Sequence, residues 1–259
     1  MKRIRLVGHQ FQYDLKTYLR SPQGVFFTAF LPIMFLVLFV GVFGNQDVPV
    51  GDGRHVSGAT YFVPSILALA VISATAVNLG ISLAVFRERG TLKRLRATPL
   101  PPSVFLAARV VTQVIVVTVI AAIVIGFGRV AYDVSVPASA WPALLVALVV
   151  GITSFCCVGF LMTLVVRSED AAPAVTNAIV LPLQFMSGVF FPRGSIPAWM
   201  RDIARVFPVQ HLVDLFFDIF DPSHTGSRLS GTHLLVLGAW AVGSLAIAAR
   251  FFRWTPNTR

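Results

Sequence analysis

Residues 61–86 read YFVPSILALAVISATAVNLGISLAVF, and residues 87–96, which follow directly, read RERGTLKRLR. The first stretch holds no charged side chain and exceeds the roughly 20 apolar residues that cross about 30 Å of hydrocarbon. The second gathers Arg87, Glu88, Arg89, Lys93, Arg94 and Arg96. An uncharged run ending abruptly in a basic cluster is the pattern of a transmembrane helix leaving the bilayer on its cytoplasmic side.

Five further apolar segments flank it, at Gly24–Phe43, Val104–Phe127, Trp141–Val166, Ala171–Phe191 and Thr232–Phe252. With Tyr61–Phe86 they make six expected spans. Pro32, Pro64 and Pro182 fall inside them, which spanning helices tolerate when neighbours satisfy the freed carbonyls. The whole composition agrees. Of 259 residues, 56% are hydrophobic and 12% charged, and the mean hydropathy is +0.79. A soluble domain carries about 25% charged residues and could not hide this much apolar surface from water.

The formal net charge of +10 would raise nucleic-acid binding in a soluble protein, but here the basic residues cluster between apolar runs. Fifteen Lys and Arg fall in the first, third, fifth and last non-membrane pieces, and six (Arg54, Arg129, Arg193, Arg201, Arg205, Arg228) in the others. The positive-inside rule therefore puts both termini in the cytoplasm. Arg109, one turn inside the third span, can snorkel to the inner surface. No apolar core follows Met1-Lys2-Arg3 closely enough for a signal peptide, so the first apolar segment is expected to be a mature span.

Residues 1–22 precede that span. Ile4, Val7, Phe11, Leu15 and Tyr18 share one helical face, with Arg5, Gln12, Asp14 and Lys16 elsewhere, before Ser21-Pro22 breaks the helix. This reads as an amphipathic interfacial helix on the inner leaflet, with or without contact to a cytoplasmic partner.

No enzyme chemistry is legible. There is no GxxxxGK[ST], HExxH or GxSxG. His9, His55, His211, His224 and His233 are scattered without carboxylate or cysteine partners at ligand spacing, so no metal or catalytic residue is assigned. Cys156 and Cys157 read as small packing residues. The span cores hold neutral polar residues at helical spacing instead: Thr75, Asn78 and Ser82 in the second, Asn177, Gln184 and Ser187 in the fifth, with Phe185 and Met186 beside them. Such faces turn from lipid either to hydrogen-bond a neighbouring helix or to line a substrate path.

In the loop after the second span, Gly90 can end the descending helix and Thr91 can cap a short new one. Leu92 and Leu95 would share a face among Lys93, Arg94 and Arg96, and Pro99, Pro101 and Pro102 stop the stub. A basic stub with a small apolar tip fits a docking helix, although positive-inside topology alone would also supply the charge.

The run Arg87-Glu88-Arg89-Gly90-Thr91-Leu92 through Thr98-Pro99 resembles the coupling segment of ABC-2 type exporter permeases, the daunorubicin-resistance-like membrane subunits. Pro182-Leu183-Gln184-Phe185-Met186-Ser187-Gly188-Val189-Phe190-Phe191-Pro192, then Ile196-Pro197-Ala198-Trp199-Met200 and Phe207-Pro208, resembles that family's fifth span and following outer elements. The basic Lys93, Arg94 and Arg96 depart from the more acidic coupling helices of many relatives.

The resemblance implies an all-α membrane protein of type V (ABCG-like) exporter architecture. Residues 1–22 would form the interfacial helix and 23–259 the six-span domain, with coupling loop 87–102 and an outer re-entrant region 192–231. In that region Pro197–Arg205 and Val209–Phe220 would be short helices, and Asp214, Asp218 and Asp221 with Arg201 and Arg205 either an outer lid or a solvated loop. The chain would hold no cofactor, since two separate ABC ATPase subunits would bind ATP and Mg and dock through Arg87–Leu92, Leu95 and Pro99. A second permease subunit, identical or not, would complete the complex in a bacterial plasma membrane. Its cargo would be a hydrophobic small molecule or lipid, with no nucleic-acid partner. A polysaccharide or glycolipid exporter and a non-transporting scaffold are the alternatives.

Overall fold

The computed structural model describes residues 2–20, 22–43, 47–51, 54–97, 101–221 and 227–251. Helix α1 (Lys2–Leu19) precedes α2 (Pro22–Phe43), and an antiparallel hairpin of β1 (Asp47–Gly51) and β2 (Arg54–Ser57) pairs Val48 with Val56. The hairpin was not foreseen, because its strands are short and Pro49 interrupts the first.

Gly58–Glu88 is one continuous 31-residue helix made of α3 (Gly58–Ile72), a π-helical segment (Ser73–Val77) and α4 (Asn78–Glu88). It starts where the Ser57 hydroxyl accepts the Thr60 N–H at 3.3 Å, a normal N-cap. It ends at Gly90, whose φ of 69° only glycine adopts freely. The stub α5 (Thr91–Arg96) follows at once. Its first hydrogen bond runs from the Arg94 N–H to the Gly90 carbonyl at 3.1 Å, so Gly90 holds the capping position and Thr91 already lies in the first turn.

The bundle is completed by α6 (Pro102–Tyr132), α7 (Trp141–Met162), α8 (Ala172–Met186), the short α9 (Ala198–Ala204), α10 (Pro208–Phe220) and α11 (Gly231–Phe251). Among the described residues four helices are long and apolar enough to cross a membrane: Gly58–Glu88, Ser103–Tyr132, Ala138–Met162 and Gly231–Phe251. Thr28–Phe43 and Ala172–Met186 are shorter apolar helices. The fifth expected segment ends early because Gly188, at φ 80°, forms a left-handed cap, and the Val189 N–H reaches back to the Gln184 carbonyl.

Gly58–Glu88 is the most enclosed of these four helices, and α11 the least. Lipid is as apolar as leucine, so close packing and polar ties hold such a bundle more than the hydrophobic effect does. Both are visible. A Cβ on Gly159 would lie 3.0 Å from Leu79 Cβ and 3.1 Å from the Ala76 carbonyl, so α7 presses directly on the π segment. The Tyr61 hydroxyl donates to the Gly188 carbonyl at 2.7 Å and the Phe191 carbonyl at 3.0 Å, satisfying the turn where α8 unwinds. Ser154 ties α7 to the Leu237 carbonyl of α11 at 2.8 Å. Cys156 and Cys157 are free and buried among the helices.

Candidate functional site

The end of the bundle that carries α5 is tied together by charged groups. Arg87, buried at the foot of α4, donates to the Thr163 carbonyl at 2.9 Å and to the Val166 carbonyl. These oxygens lie just past the last turn of α7, where helical carbonyls lack partners and a cation is favoured. Two residues on, Arg89 grips Glu169 with two parallel N–H donors, and the Glu169 backbone N–H donates to the Glu88 carboxylate. The bond from Arg89 holds the Glu169 carboxyl below its usual range. Residues 87–89 are thereby clasped to the connection between α7 and α8.

This arrangement revises the expected apolar tip. Leu92 is 0% exposed, packed into the hydrophobic core under the bundle. An apolar side chain on a one-and-a-half-turn helix gains most by closing the floor of its own domain, and that leaves Lys93 and Arg94 as the exposed face. Leu95 lies on α5, and Pro99 falls outside the described residues.

Deeper in the bundle, a cleft of about 320 Å³ opens between α2, the π segment with α4, and α8. Asn78, Asn177 and Gln184 all line it, with Leu31, Phe35, Leu69, Val180 and Phe190 as apolar wall. π segments widen a helix locally and recur at functional sites; this one puts Ser73, Ala74 and Val77 beside Asn78 on the cleft. Asn177 donates to the Pro173 carbonyl at 2.9 Å. Gln184 is 1% exposed, and its Nε2 has no hydrogen-bond partner among the described residues.

The other four residues expected on the path stand apart. Thr75 and Ser187 are buried and donate to carbonyls of their own helices, Val71 and Leu183. Ser82 makes a long 3.4 Å bond to the Leu79 carbonyl. Phe185 is exposed and stacks with Phe190 at 4.6 Å between centroids. Thr75, Ser82 and Ser187 spend their hydroxyls on the preceding turn, as Asn177 does its amide, so such bonds alone do not sort the candidates. Phe35 was missed because α2 is apolar all round and gives no periodic signal.

Two polar ties were also missed. Asp14, expected on the wet face of α1, is 7% exposed and lies 3.4 Å from Arg109 of α6, whose guanidinium stacks over Phe86 and Phe105. Burial pushes its carboxyl up, against the pull of Arg109 and the Gln10 amide. Helix α1 is docked on the bundle through this pair, which takes up the Arg109 guanidinium. At the far end, His211 Nε2 lies 2.8 Å from the Arg205 carbonyl and His211 Nδ1 lies 2.8 Å from His233 Nδ1. A carbonyl only accepts, so in neutral rings His211 carries its hydrogen on Nε2 and His233 donates from Nδ1. Nearby, Arg205 pairs with Asp202 at 3.2 Å on α9.

A family model described as ABC-2 type transporter matches residues 6–220. YvfS of Bacillus subtilis, a transport permease by name, is 25% identical over 198 residues, covering 76% of this chain and 78% of that protein. YadH of Escherichia coli, by name an inner membrane transport permease, is 22% identical over 193 residues, 71% of this chain and 72% of its own. YbhR of Escherichia coli, named as a multidrug ABC transporter permease, is 25% identical over 160 residues, 62% of this chain and 43% of its own length.

Proposed function

The chain belongs to the ABC-2 type transporter family, and from that premise we propose that it is the permease subunit of an ATP-driven exporter for an amphipathic drug or lipid-like substrate. The α5 end faces the cytoplasm, as the basic residues direct, and both termini lie on that side of a bacterial plasma membrane. The shorter apolar helices of α2 and α8 join the four long ones to make six passes. Two such subunits pair, and two separate ATPase subunits supply ATP and Mg chemistry from below.

The observation that carries this reading is the clasp of Arg87, Glu88 and Arg89 onto the α7–α8 connection. It makes α5 a handle fixed to two helices at once. One is α4, which carries Asn78; the other is α8, which carries Asn177 and Gln184. These helices wall the cleft. Closure of an ATPase dimer against Lys93 and Arg94 would therefore move both walls together and switch the access of the cleft, a coupling between two sites through a rigid element.

Reversing the exposed charges tests the handle. Lys93→Glu with Arg94→Glu is expected to weaken co-purification of the ATPase roughly tenfold or more, since apposed like charges are strongly disfavoured, while the permease inserts normally. Undiminished association would remove the docking role. Substrate-stimulated ATP hydrolysis by the reconstituted complex separates an exporter from a non-transporting scaffold, which should show none.

A further inference from the structure

The cleft contains polar groups and no charge. Among its lining residues none is titratable, and its longest polar side chain is the Gln184 amide. That amide is 1% exposed, and its nitrogen has no partner among the described residues. A buried amide N–H left unpaired in apolar surroundings is costly, and such groups in natural folds call for a specific explanation.

We propose that the cleft recognises an uncharged substrate group bearing a hydrogen-bond acceptor, such as a carbonyl, ether or hydroxyl oxygen, held by the Gln184 amide. This deepens the reading of the cleft as the substrate path and rests on it. A cationic or anionic group here would meet no counter-charge, and burying an unpaired charge costs far more than burying an amide. An acceptor oxygen restores the missing hydrogen bond. Phe35 and Phe190, with ring centroids 6.3 Å apart in an edge-on arrangement, offer the apolar body of the guest an aromatic wall beside that point. A volume near 320 Å³ matches the smaller end of small-molecule sites. The substrate class is therefore a neutral, largely apolar molecule with an acceptor oxygen, and selection is against charge.

The test uses two dyes with the same fused-ring body. Nile red carries a ring carbonyl where Nile blue carries a protonated imine, so the pair differs by acceptor against cation at one position. Binding is measured on the purified permease in nanodiscs, with empty nanodiscs subtracted. Nile red is expected to bind about tenfold tighter than Nile blue, the order of the net gain from a single hydrogen bond. Gln184→Leu should erase most of that preference, and Gln184→Glu should reverse it toward Nile blue. Equal affinity of the parent protein for both dyes, or an unchanged ratio in Gln184→Leu, overturns the proposal. ATP-driven dye accumulation in inverted vesicles containing the complete complex tests the transport reading separately. Selective binding without accumulation sinks the substrate-path reading and leaves the recognition intact, whereas equal accumulation of both dyes sinks the recognition alone.

Discussion

The clasp and the cleft use polar groups in opposite ways. At the clasp, Arg87, Glu88, Arg89 and Glu169 are charged, and each has partners across the chain. In the cleft, Asn78, Asn177 and Gln184 are neutral, and the Gln184 nitrogen has no partner among the described residues. A satisfied charged network fixes one geometry, and a half-satisfied neutral one leaves capacity for something else to bind. On the proposed reading the contrast separates a part that would transmit force from a part that would recognise cargo, and each half of it can be broken on its own.

The largest effect is expected at the clasp. Arg87→Ala would leave the Thr163 and Val166 carbonyls unpaired where Arg87 is buried, at a cost of about 3 kcal/mol for losing two bonds from a charged donor. Cys156 and Cys157 are buried and free, so a thiol-reactive dye reports unfolding directly. The variant should react at a clearly lower temperature than the parent, with Arg87→Lys in between. If Arg87→Ala unfolds with the parent, the clasp is not what fixes α5, and the comparison loses its rigid half.

The two regions also differed in how far the sequence disclosed them. Apolar length and basic clustering gave the helices, their order and the position of α5, because both are one-dimensional properties that a bilayer imposes. The three amides of the cleft were legible from helical spacing, since α4 and α8 each present one polar stripe. The partners were not. Thr163 and Val166 offer only backbone carbonyls to Arg87, and no side-chain pattern marks a carbonyl. Asp14 lay off the apolar face of α1 and read as solvated, although its partner Arg109 stands some ninety-five positions along the chain. Leu92 was assigned to a partner protein because sequence spacing shows that a side chain is apolar and not what covers it.

A smaller effect is expected where the bundle supports the cleft. Gly159→Val puts branched carbons where a single Cβ already meets Leu79 at 3.0 Å and the Ala76 carbonyl at 3.1 Å. The obstacle includes backbone of the π segment, which cannot swing aside as a long side chain would. Overpacking of this kind costs about 2 kcal/mol. The strain falls at Ala76 and Leu79, on either side of Asn78, so Nile red binding should drop along with the unfolding temperature, whereas association with the ATPase should persist. Loss of ATPase association and retention of dye binding would invert the assignment of the two regions.

The smallest effect belongs to the outermost tie. Arg89 and Glu169 form a bidentate pair, but Arg89 is 66% exposed and Glu169 30%, and pairs open to water contribute little to stability and are screened by salt. Arg89→Gln should therefore leave the unfolding temperature within error of the parent. The Glu169 carboxyl is held below its ordinary 4.5 by the bond from Arg89, so the pair's contribution is present above that value and disappears only as the pH falls through the depressed one. At neutral pH the tie is fully formed, and its loss should show in coupling: substrate-stimulated ATP hydrolysis should fall modestly at low salt, and parent and variant should converge at about 1 M salt, where the screening length is near 3 Å. A large loss of thermal stability in Arg89→Gln would mean that the clasp is held from its exposed edge, and the burial of Arg87 would no longer explain why it holds.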